Sequence, residues 1–237
     1  MRMGRCPPEV GFAQPPRTCR SETSRQPRFH SMPTPRFLYF DLGMVLVTFS
    51  VERMCRQIAA TAGLDVQRVP EILFSSGVQT HYELGQISTR QYYEAFCERS
   101  ATRPDYDALV HAASDIFEIH APMVAIAGQL RQAGYRLGVL SNTCESHWLH
   151  CLRRFRFLGD FFDVYALSYQ LHAAKPNAAI FHGAAKLARV SPDEMFFADD
   201  IAGHIAGACQ IGVDAVQFTS AGQIVRELFA RGVRFNY

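Results

Sequence analysis

Residues 37–43 read Phe-Leu-Tyr-Phe-Asp-Leu-Gly, an apolar strand pattern that ends on a single acid, Asp41. Residues 195–200 read Met-Phe-Phe-Ala-Asp-Asp and repeat this design with two acids, Asp199 and Asp200. The carboxyl ends of parallel strands meet at one edge of a sheet, where such folds bind their ligands. The two stretches therefore predict an α/β fold whose carboxylates share one crevice and hold a cation and a substrate there.

From residue 36 onward the pattern alternates short apolar strands with helices. Strands are predicted at 36–40, 136–141, 163–168, 194–198 and 213–217, and helices at 121–134, 144–155, 177–188, 203–211 and 221–231. This alternation predicts a Rossmann-like parallel sheet with helices on both faces. Between residues 50 and 119 helical spacing replaces the strand pattern, which predicts a small all-helical insert after the first strand, lying over the carboxylates as a cap.

These patterns divide the chain into three predicted parts. We expect a core formed by residues 36–49 and 120–237, and a helical cap formed by residues 50–119. Residues 1–35 are rich in Pro, Arg and Ser and lack an apolar pattern, so we expect a disordered leader. The alternative is a mis-assigned leader, with Met32 as the true start directly before the first strand.

Composition excludes several classes of partner. The 237 residues are 48% hydrophobic and carry a formal charge of +2, but seven arginines fall within residues 1–36, so the remainder is slightly acidic. The sequence has no basic stripe to follow a nucleic-acid backbone and no apolar run of about 20 residues for a membrane span. Seven cysteines without a CxxC pair favour free thiols of a reducing cytoplasm. A monomer and a homodimer are both compatible with the sequence.

Two further stretches carry groups that suit a phosphate. Residues 137–143 read Leu-Gly-Val-Leu-Ser-Asn-Thr, a buried strand that ends in the hydroxyl of Ser141 and the amide of Asn142. Such donors bind phosphate, although an ordinary helix N-cap has the same residues. The chain contains 22 arginines and only two lysines, one of which is Lys175. A compact ammonium can neutralise a phosphoryl oxygen and a carboxylate together, and chance retention of a lysine is the alternative.

The four stretches follow one another at the ends of successive predicted strands, and in this order they resemble the haloacid dehalogenase superfamily. The stretch FDLGMVLV resembles its nucleophile motif, VLSNT its second motif, the lysine before Pro176 its third and FFADD its acidic fourth. The predicted insert is similar to the small helical cap of that superfamily. Residues 82–88, YELGQIS, resemble a cap segment of its sugar-phosphate phosphatases, and the nearest branch is that of the bacterial α-D-glucose-1-phosphate phosphatases.

The resemblance implies a two-step phosphoryl transfer by a Mg²⁺-dependent phosphatase of a small phosphorylated metabolite. Asp41 attacks phosphorus, and water hydrolyses the resulting aspartyl-phosphate. The implied metal ligands are the Asp41 carboxylate, the Gly43 carbonyl and Asp200, with Asp199 as a ligand or as a support behind the metal. The implied substrate contacts are Ser141, the Asn142 backbone, Lys175, Gly43 and the cap residue Glu83.

Three positions depart from the superfamily pattern. Most of its phosphatases carry an aspartate at the position of Gly43 to protonate the leaving group, and its loss typically costs about 10²–10⁴ in rate. We therefore expect a good leaving group, as in a sugar 1-phosphate or an acyl phosphate. His172 replaces a usual glycine, and His204 replaces a usual Asp or Asn. Either histidine, or Glu83, is a candidate substitute acid; the alternative is that both histidines have purely local roles.

Two other functions are compatible with these residues. A 2-haloacid dehalogenase shares the fold and also lacks the second aspartate, but it needs no Mg²⁺ and requires an apolar halide pocket that contains an arginine. A non-catalytic protein that binds a phosphorylated ligand is the third class, because Gly43, His172 and His204 all depart from the catalytic pattern.

Overall fold

The computed structural model describes residues 34–237. The predictions for the leader and for a start at Met32 concern residues that lie outside this range.

Five parallel strands form the central sheet, in the order β5-β4-β1-β6-β7. The strands are β1 Phe37–Phe40, β4 Leu137–Ser141, β5 Val164–Leu167, β6 Met195–Asp199 and β7 Asp214–Gln217, and two shorter strands, β2 Val47–Phe49 and β3 Phe117–Ile119, form a separate antiparallel ribbon. The chain leaves β1 toward β4 and later returns to β6 on the other side of β1. The crevice at such a reversal of strand order is the usual ligand site of this architecture.

Helices cover both faces of the sheet, and several of them follow one another in the sequence between the ribbon strands β2 and β3. They are α1 Val51–Ala62, α2 Arg68–Pro70, α3 Val78–Glu83, α4 Thr89–Ser100, α5 Tyr106–Ser114, α6 Ala121–Gln132, α7 Glu145–Arg154, α8 Phe157–Phe161, α9 Ser168–Leu171, α10 Ala178–Ala188, α11 Ala202–Gln210 and α12 Ala221–Ala230, with a π-helical turn at Glu71–Ser75 and a 3₁₀ turn at Pro192–Glu194. Within residues 34–237, none of these helices has the length and apolar character needed to cross a membrane.

Strand β1 is buried on both faces, which explains its continuous apolar sequence. Phe37 and Tyr39 face one hydrophobic cluster, and Leu38 and Phe40 face the other, because successive side chains of a strand point to opposite sides. The Tyr39 hydroxyl donates a hydrogen bond of 2.8 Å to the carbonyl of Ala184, so its one polar atom is satisfied inside the core. The two clusters fix the strand, and with it the position of the acid that follows.

Local signals define the first helix of the insert. Ser50 accepts a hydrogen bond of 3.1 Å from the backbone N–H of Arg53, which caps the start of α1. Gly63 ends the helix with a φ of 65°, a conformation that glycine adopts without strain. Met54 and Ile58 are buried four residues apart on the inner face. The helical spacing in the sequence thus corresponds to a real amphipathic helix.

The predicted fold class is confirmed, and all ten predicted strands and helices of the core are present with ends that differ by at most two residues. The sequence patterns missed the β2–β3 ribbon and the short helices α8 and α9. Each ribbon strand has three residues, too few for an alternating pattern to be recognised. The ribbon also pairs Val47–Phe49, which the sequence assigns to the core, with Phe117–Ile119, which it assigns to the cap, while the division into core and cap stays a prediction.

Gly138 lies where β4 passes closest to β1. A Cβ atom added there would lie 2.4 Å from Cε1 of Tyr39 and 2.7 Å from Cε1 of Phe37. We expect Gly138→Ala to lower the free energy of unfolding by about 1–3 kcal/mol, because the two rings have no room to move. Gly159→Ala is the matched control: a Cβ there meets nothing within 4 Å. Denaturant unfolding that shows equal stabilities for the two variants would contradict this account of β4 packing.

Candidate active site

Three carboxylates meet at the carboxyl edge of the sheet. Asp41 directly follows β1, Asp199 is the last residue of β6, and Asp200 is the next residue along the chain. One oxygen atom from each carboxylate lies within 4.8 Å of the others. The two acid sites that the sequence places at separate strand ends are therefore adjacent in the folded protein. Oxygen donors at this spacing suit a small, hard divalent cation such as Mg²⁺.

Lys175 joins the two buried members of this acid cluster. Its Nζ atom lies 2.9 Å from Oδ1 of Asp41 and 2.6 Å from Oδ2 of Asp199. The third ammonium donor makes a hydrogen bond of 3.0 Å to the carbonyl of Leu140 at the end of β4. The side chain is completely buried, so all of its hydrogen bonds are made to the protein. A single ammonium with three donors fits this site, whereas a planar guanidinium would need more room.

Asn142 fixes the backbone of Lys175. Its Nδ2 donates to the carbonyl of Lys175 at 3.0 Å, and its Oδ1 accepts from the N–H of the same residue at 2.8 Å. The Asn142 side chain thus positions the lysine. The backbone of Asn142 is therefore the part of this residue that can bind a ligand. The neighbouring Ser141 is buried, and its hydroxyl makes only a 3.5 Å contact to the Asn142 carbonyl. That distance is at the limit for a hydrogen bond, so the hydroxyl can turn to another acceptor.

Asp199 is surrounded by donors. Its Oδ1 accepts from the Ile201 N–H at 2.8 Å, and Nδ1 of His204 lies 3.0 Å from each carboxylate oxygen. Burial acts to raise the pKa of Asp199, but the hydrogen bond with His204 and the charge of Lys175 together lower it below its usual value. Asp199 is consequently held as a carboxylate, and its oxygens are occupied by protein donors.

Asp41 is in the opposite electrostatic situation. Burial raises its pKa to about 6, although Lys175 partly opposes the shift, and the negative charge of Asp199 adds to it. The pKa of Asp200 is also raised, first by burial and then by Asp199. The single positive charge of Lys175 does not balance three carboxylates. A divalent cation would supply the missing charge, so the donor set fits Mg²⁺ in chemistry as well as in spacing.

Gly43 lies beside the ring of Phe49. A Cβ atom at Gly43 would come within 2.9 Å of Cε1 of Phe49, so this ring occupies the space into which a longer side chain would project. The sequence gives no indication of this contact, because Phe49 reaches the site through the β2–β3 ribbon, where it pairs with Phe117. The space that an aspartate side chain at position 43 would enter is therefore occupied by the ring of Phe49.

A cavity of about 100 Å³ extends from the strand ends toward the helical insert. Its apolar wall consists of Leu42, Phe49, Val51, Met54, Phe74, Ile116 and Phe117, and its polar lining consists of Gly43, Gln79, Glu83, Ser141, Asn142, Thr143 and His147. Glu83 lies in this lining and accepts a hydrogen bond of 2.9 Å from Gln79. Sequence reasoning found Glu83 but missed the aromatic wall, which is contributed by residues far apart along the chain.

The two histidines that depart from the superfamily pattern lie outside this lining. Nδ1 of His172 is 3.1 Å from the carbonyl of Leu84, and His172 has a φ of 51°, a left-handed conformation in which glycine is commonly found. His204 contacts Asp199, as described above. Neither histidine therefore reaches the cavity, and among the three candidates for a substitute acid only Glu83 does.

The segment that resembles a phosphatase cap motif contacts the core closely. Ser168 donates a hydrogen bond of 2.6 Å to the Glu83 carbonyl, and the Ser146 N–H donates one of 3.0 Å to the Tyr82 hydroxyl. A Cβ atom at Gly85 would lie 2.0 Å from the Tyr169 carbonyl oxygen, so only glycine fits this contact. These bonds fix Glu83 above the strand ends.

Comparison with known proteins identifies the class. A family model described as haloacid dehalogenase-like hydrolase matches residues 42–212, which is most of the chain. The chain therefore belongs to the haloacid dehalogenase-like hydrolase family, as its motifs predict. It is 32% identical over 108 residues to phosphatase MT3486 of Mycobacterium tuberculosis, an alignment that covers 44% of this chain and 50% of the relative. The chain thus matches about half the length of that curated protein.

Solved structures agree with this assignment. HAD family enzyme bt-2542 of Bacteroides thetaiotaomicron, in complex with magnesium and inorganic phosphate, is 25% identical with a TM-score of 0.70, and the match covers 79% of this chain and 96% of that one. A predicted HAD-like hydrolase of Porphyromonas gingivalis is 27% identical with a TM-score of 0.71, covering 82% and 98%. L-2-haloacid dehalogenase of Xanthobacter autotrophicus shares the fold at 15% identity and a TM-score of 0.57, covering 84% of each chain.

The contrast between Asp41 and Asp199 predicts opposite effects of neutralising them in metal-free protein. The folded-state pKa of Asp41 is about 6, above its usual 3.8, so its ionisation makes the folded state less stable as pH rises from about 4 to 6. Relative to wild type, Asp41→Asn should therefore gain stability as pH rises from 4 to 8, because the substitution removes this ionisation.

Asp199→Asn should lower the stability at pH 8, because the lowered pKa of Asp199 gives stability that is present above its usual range and lost as pH falls. Denaturant unfolding in chelator at pH 4, 6 and 8 provides the measurement. If the stabilities of both variants relative to wild type change in the same direction between pH 4 and pH 8, the proposed difference between the two carboxylates is wrong.

Proposed function

We propose that this hydrolase is a Mg²⁺-dependent phosphatase that acts on a small phosphorylated metabolite with a good leaving group, through an aspartyl-phosphate on Asp41. The observation that carries the proposal is the pairing of one buried ammonium, that of Lys175, with Asp41 and Asp199 at the carboxyl edge of the sheet. Family membership supports it, as do the phosphatase name of the Mycobacterium relative and the magnesium and phosphate bound to the Bacteroides enzyme.

Asp41 has the geometry of a nucleophile. The Leu42 N–H, at 2.7 Å, and the Lys175 ammonium, at 2.9 Å, both contact its Oδ1. This arrangement fixes the plane of the carboxylate and points to Oδ2 as the oxygen that attacks phosphorus. The leaving oxygen departs with the bonding electron pair, and water then attacks phosphorus in the aspartyl-phosphate, which releases phosphate and regenerates the carboxylate.

In this proposal two protein groups donate to the phosphoryl oxygens, the hydroxyl of Ser141 and the backbone N–H of Asn142 at the end of β4. Lys175 supplies positive charge beside the nucleophile, and its three donors stay bonded to the protein. Lys175 is held by contacts to its own backbone and by Leu140, so it does not need to reorganise when negative charge develops on the phosphoryl group. Preorganised charge of this kind is commonly the largest contribution to catalysis.

Asp41, the Gly43 carbonyl and Asp200 would hold the metal. A Mg²⁺ ion held by these oxygens would reduce the repulsion between the nucleophile and the phosphate. We assign Asp199 a supporting role behind the metal, because its oxygens are occupied by Ile201, His204 and Lys175. Its retained negative charge balances the ammonium of Lys175.

The leaving group is expected to depart without a built-in acid, since Gly43 offers no side chain. Sugar 1-phosphates and acyl phosphates satisfy this condition, and the similarity of residues 40–47 and 139–143 to the bacterial α-D-glucose-1-phosphate phosphatases supports the first class. Glu83 is the remaining acid in the cavity lining that can interact with the substrate. A haloacid dehalogenase activity is less well supported, because the cavity lining in the described part of the chain contains no arginine for a halide.

The wider setting of the enzyme completes the proposal. We assign residues 50–119 as a helical cap and residues 36–49 and 120–237 as the core, supported by the helices α1–α5 that lie between the two ribbon strands. We also propose a cytoplasmic enzyme, monomeric or homodimeric, that binds neither nucleic acid nor membrane. Free cysteines at 55, 97, 144, 151 and 209 within the described residues support a reducing compartment.

The decisive assay is Mg²⁺-dependent phosphate release from 4-nitrophenyl phosphate, acetyl phosphate and glucose 1-phosphate. We expect Asp41→Asn and Lys175→Met to lower kcat by at least about 10³, because each removes a group that acts on the transferring phosphoryl. Lys186→Met and Asp193→Asn are matched controls, since both residues are exposed, and should retain full activity. Release that is unaffected by chelator or by Asp41→Asn would contradict the proposed mechanism.

The contact between Gly43 and Phe49 predicts a conditional gain of function. Gly43→Asp alone should not improve turnover, because the Phe49 ring blocks the start of the new side chain. Combined with Phe49→Ala, the new carboxyl can reach the leaving oxygen, and kcat for an alkyl phosphate should rise by about 10² over Phe49→Ala alone. Equal kcat values of the double variant and Phe49→Ala on cyclohexyl phosphate would show that the lack of an acid at position 43 does not limit turnover.

A further inference from the structure

We propose that the leaving group is an aromatic alcohol, so that the enzyme hydrolyses aryl phosphate monoesters in preference to sugar phosphates. This inference rests on the proposed phosphatase function and deepens it: the cavity favours an aromatic leaving group over the sugar that the sequence similarity suggests. Three observations support it: an aromatic and aliphatic wall beside Gly43, polar side chains of which several already have hydrogen-bond partners, and the absence of an acid at the position of the leaving oxygen.

The first observation concerns the wall of the cavity. Phe49 and Phe117 lie with ring centroids 6.0 Å apart and planes inclined by 52°. Phe49 lines the cavity, and 41% of its surface is exposed. Phe74, 38% exposed, contributes a further ring from the helical insert. Apolar groups left in contact with water favour an apolar ligand, because covering an aromatic side chain removes a large apolar area from water. An aromatic leaving group that lies beside Gly43 would contact the ring of Phe49 directly.

The second observation concerns the polar groups of the lining. Gln79 and Glu83 are hydrogen-bonded to each other at 2.9 Å, and the Asn142 side chain is committed to Lys175. Nε2 of His147 lies 3.0 Å from the Ala113 carbonyl, and burial lowers the pKa of His147, so this ring is neutral. These contacts reduce the number of free side-chain donors and acceptors that a sugar could use in the lining. A hydroxyl buried without a partner costs about 1–3 kcal/mol, so a ligand with fewer hydroxyls is favoured here.

The third observation is chemical. Asp41 forms a P–O bond while the P–O bond to the aryl group breaks, and the electron pair leaves as a phenolate. A phenol has a pKa of about 10, so its anion departs without prior protonation. Water then attacks the aspartyl-phosphate, the P–O bond to Asp41 breaks, and the proton released from water neutralises the phenolate. The chemistry therefore balances without an acid at Gly43.

The size of the cavity is consistent with one ring. Its volume of about 100 Å³ is of the order that holds a single six-membered ring. Glu83 lies in the same lining, and a carboxylate there disfavours a leaving group with an acidic substituent. The proposed substrate class is therefore the phosphate monoesters of monocyclic phenols that carry no charged substituent.

The test compares four substrates with Mg²⁺: phenyl phosphate, cyclohexyl phosphate, glucose 1-phosphate and acetyl phosphate. We expect kcat/KM for phenyl phosphate to exceed that for glucose 1-phosphate at least 10-fold. Cyclohexyl phosphate has a similar size and apolar character, so its KM should lie within about threefold of that for phenyl phosphate. Its kcat should be at least 100-fold lower, because its alkoxide is a poor leaving group.

Two variants test the wall itself. Phe49→Ala and Phe74→Ala should each raise KM for phenyl phosphate at least fivefold and raise KM for acetyl phosphate by a clearly smaller factor, because an acetyl group has less apolar surface to cover the rings than a phenyl group has. Phe74 is partly exposed on the insert, so Phe74→Ala provides the test if Phe49→Ala does not fold. Equal losses on both substrates in a folded variant would show a structural role for the ring and overturn the inference.

The outcomes separate this inference from the function on which it rests. Absence of Mg²⁺-dependent, Asp41-dependent release from all four substrates would overturn the proposed phosphatase function. Clear release with glucose 1-phosphate equal to or better than phenyl phosphate would leave the phosphatase function intact and overturn the aryl preference. Preference for phenyl phosphate together with the KM effects of the two variants supports the inference.

Discussion

The buried ammonium of Lys175 is the constraint on which the site depends. It is shared by carboxylates from the ends of β1 and β6 and by a carbonyl at the end of β4, so it connects three neighbouring strands. Removing one partner of a buried ion pair typically costs about 3–5 kcal/mol, because the remaining charge is left without compensation. The side-chain amide of Asn142 forms hydrogen bonds with the backbone N–H and the carbonyl of Lys175, and these bonds hold the lysine in position.

The electrostatic difference between Asp41 and Asp199 follows from their neighbours. Both carboxylates contact the same ammonium, but Asp199 also receives hydrogen bonds from Ile201 and His204, whereas Asp41 is mainly desolvated. One acid is thereby stabilised as a permanent charge, and the other carries an unsatisfied affinity for a cation. Neighbouring carboxyl groups with pKa values displaced in opposite directions commonly have different roles, one structural and one reactive.

The sequence predicted the central sheet and the meeting of the acids because both depend on local signals. An apolar run such as that of β1 indicates a buried strand, and the acid after it necessarily lies at the carboxyl edge. The contact of Phe49 with Gly43 and the role of the Asn142 side chain were beyond such reasoning. The first depends on pairing between β2 and β3, about 70 residues apart in the chain. The second depends on the path of the loop that carries Lys175, which no strand or helix pattern defines.

The relation between Gly43 and Phe49 connects the chemistry of the site with its specificity. A side chain at Gly43 and the ring of Phe49 compete for the same volume, with 2.9 Å between the position of a Cβ atom and the ring. A protein of this geometry has either an acid or an aromatic surface next to the leaving oxygen, and the ring of Phe49 must move before a side chain at Gly43 can be accommodated. Replacing the acid by the aromatic ring removes a proton donor and adds apolar contact area next to the leaving oxygen. The substrate best suited to such a site has a leaving group that needs no proton and gains from contact with a ring.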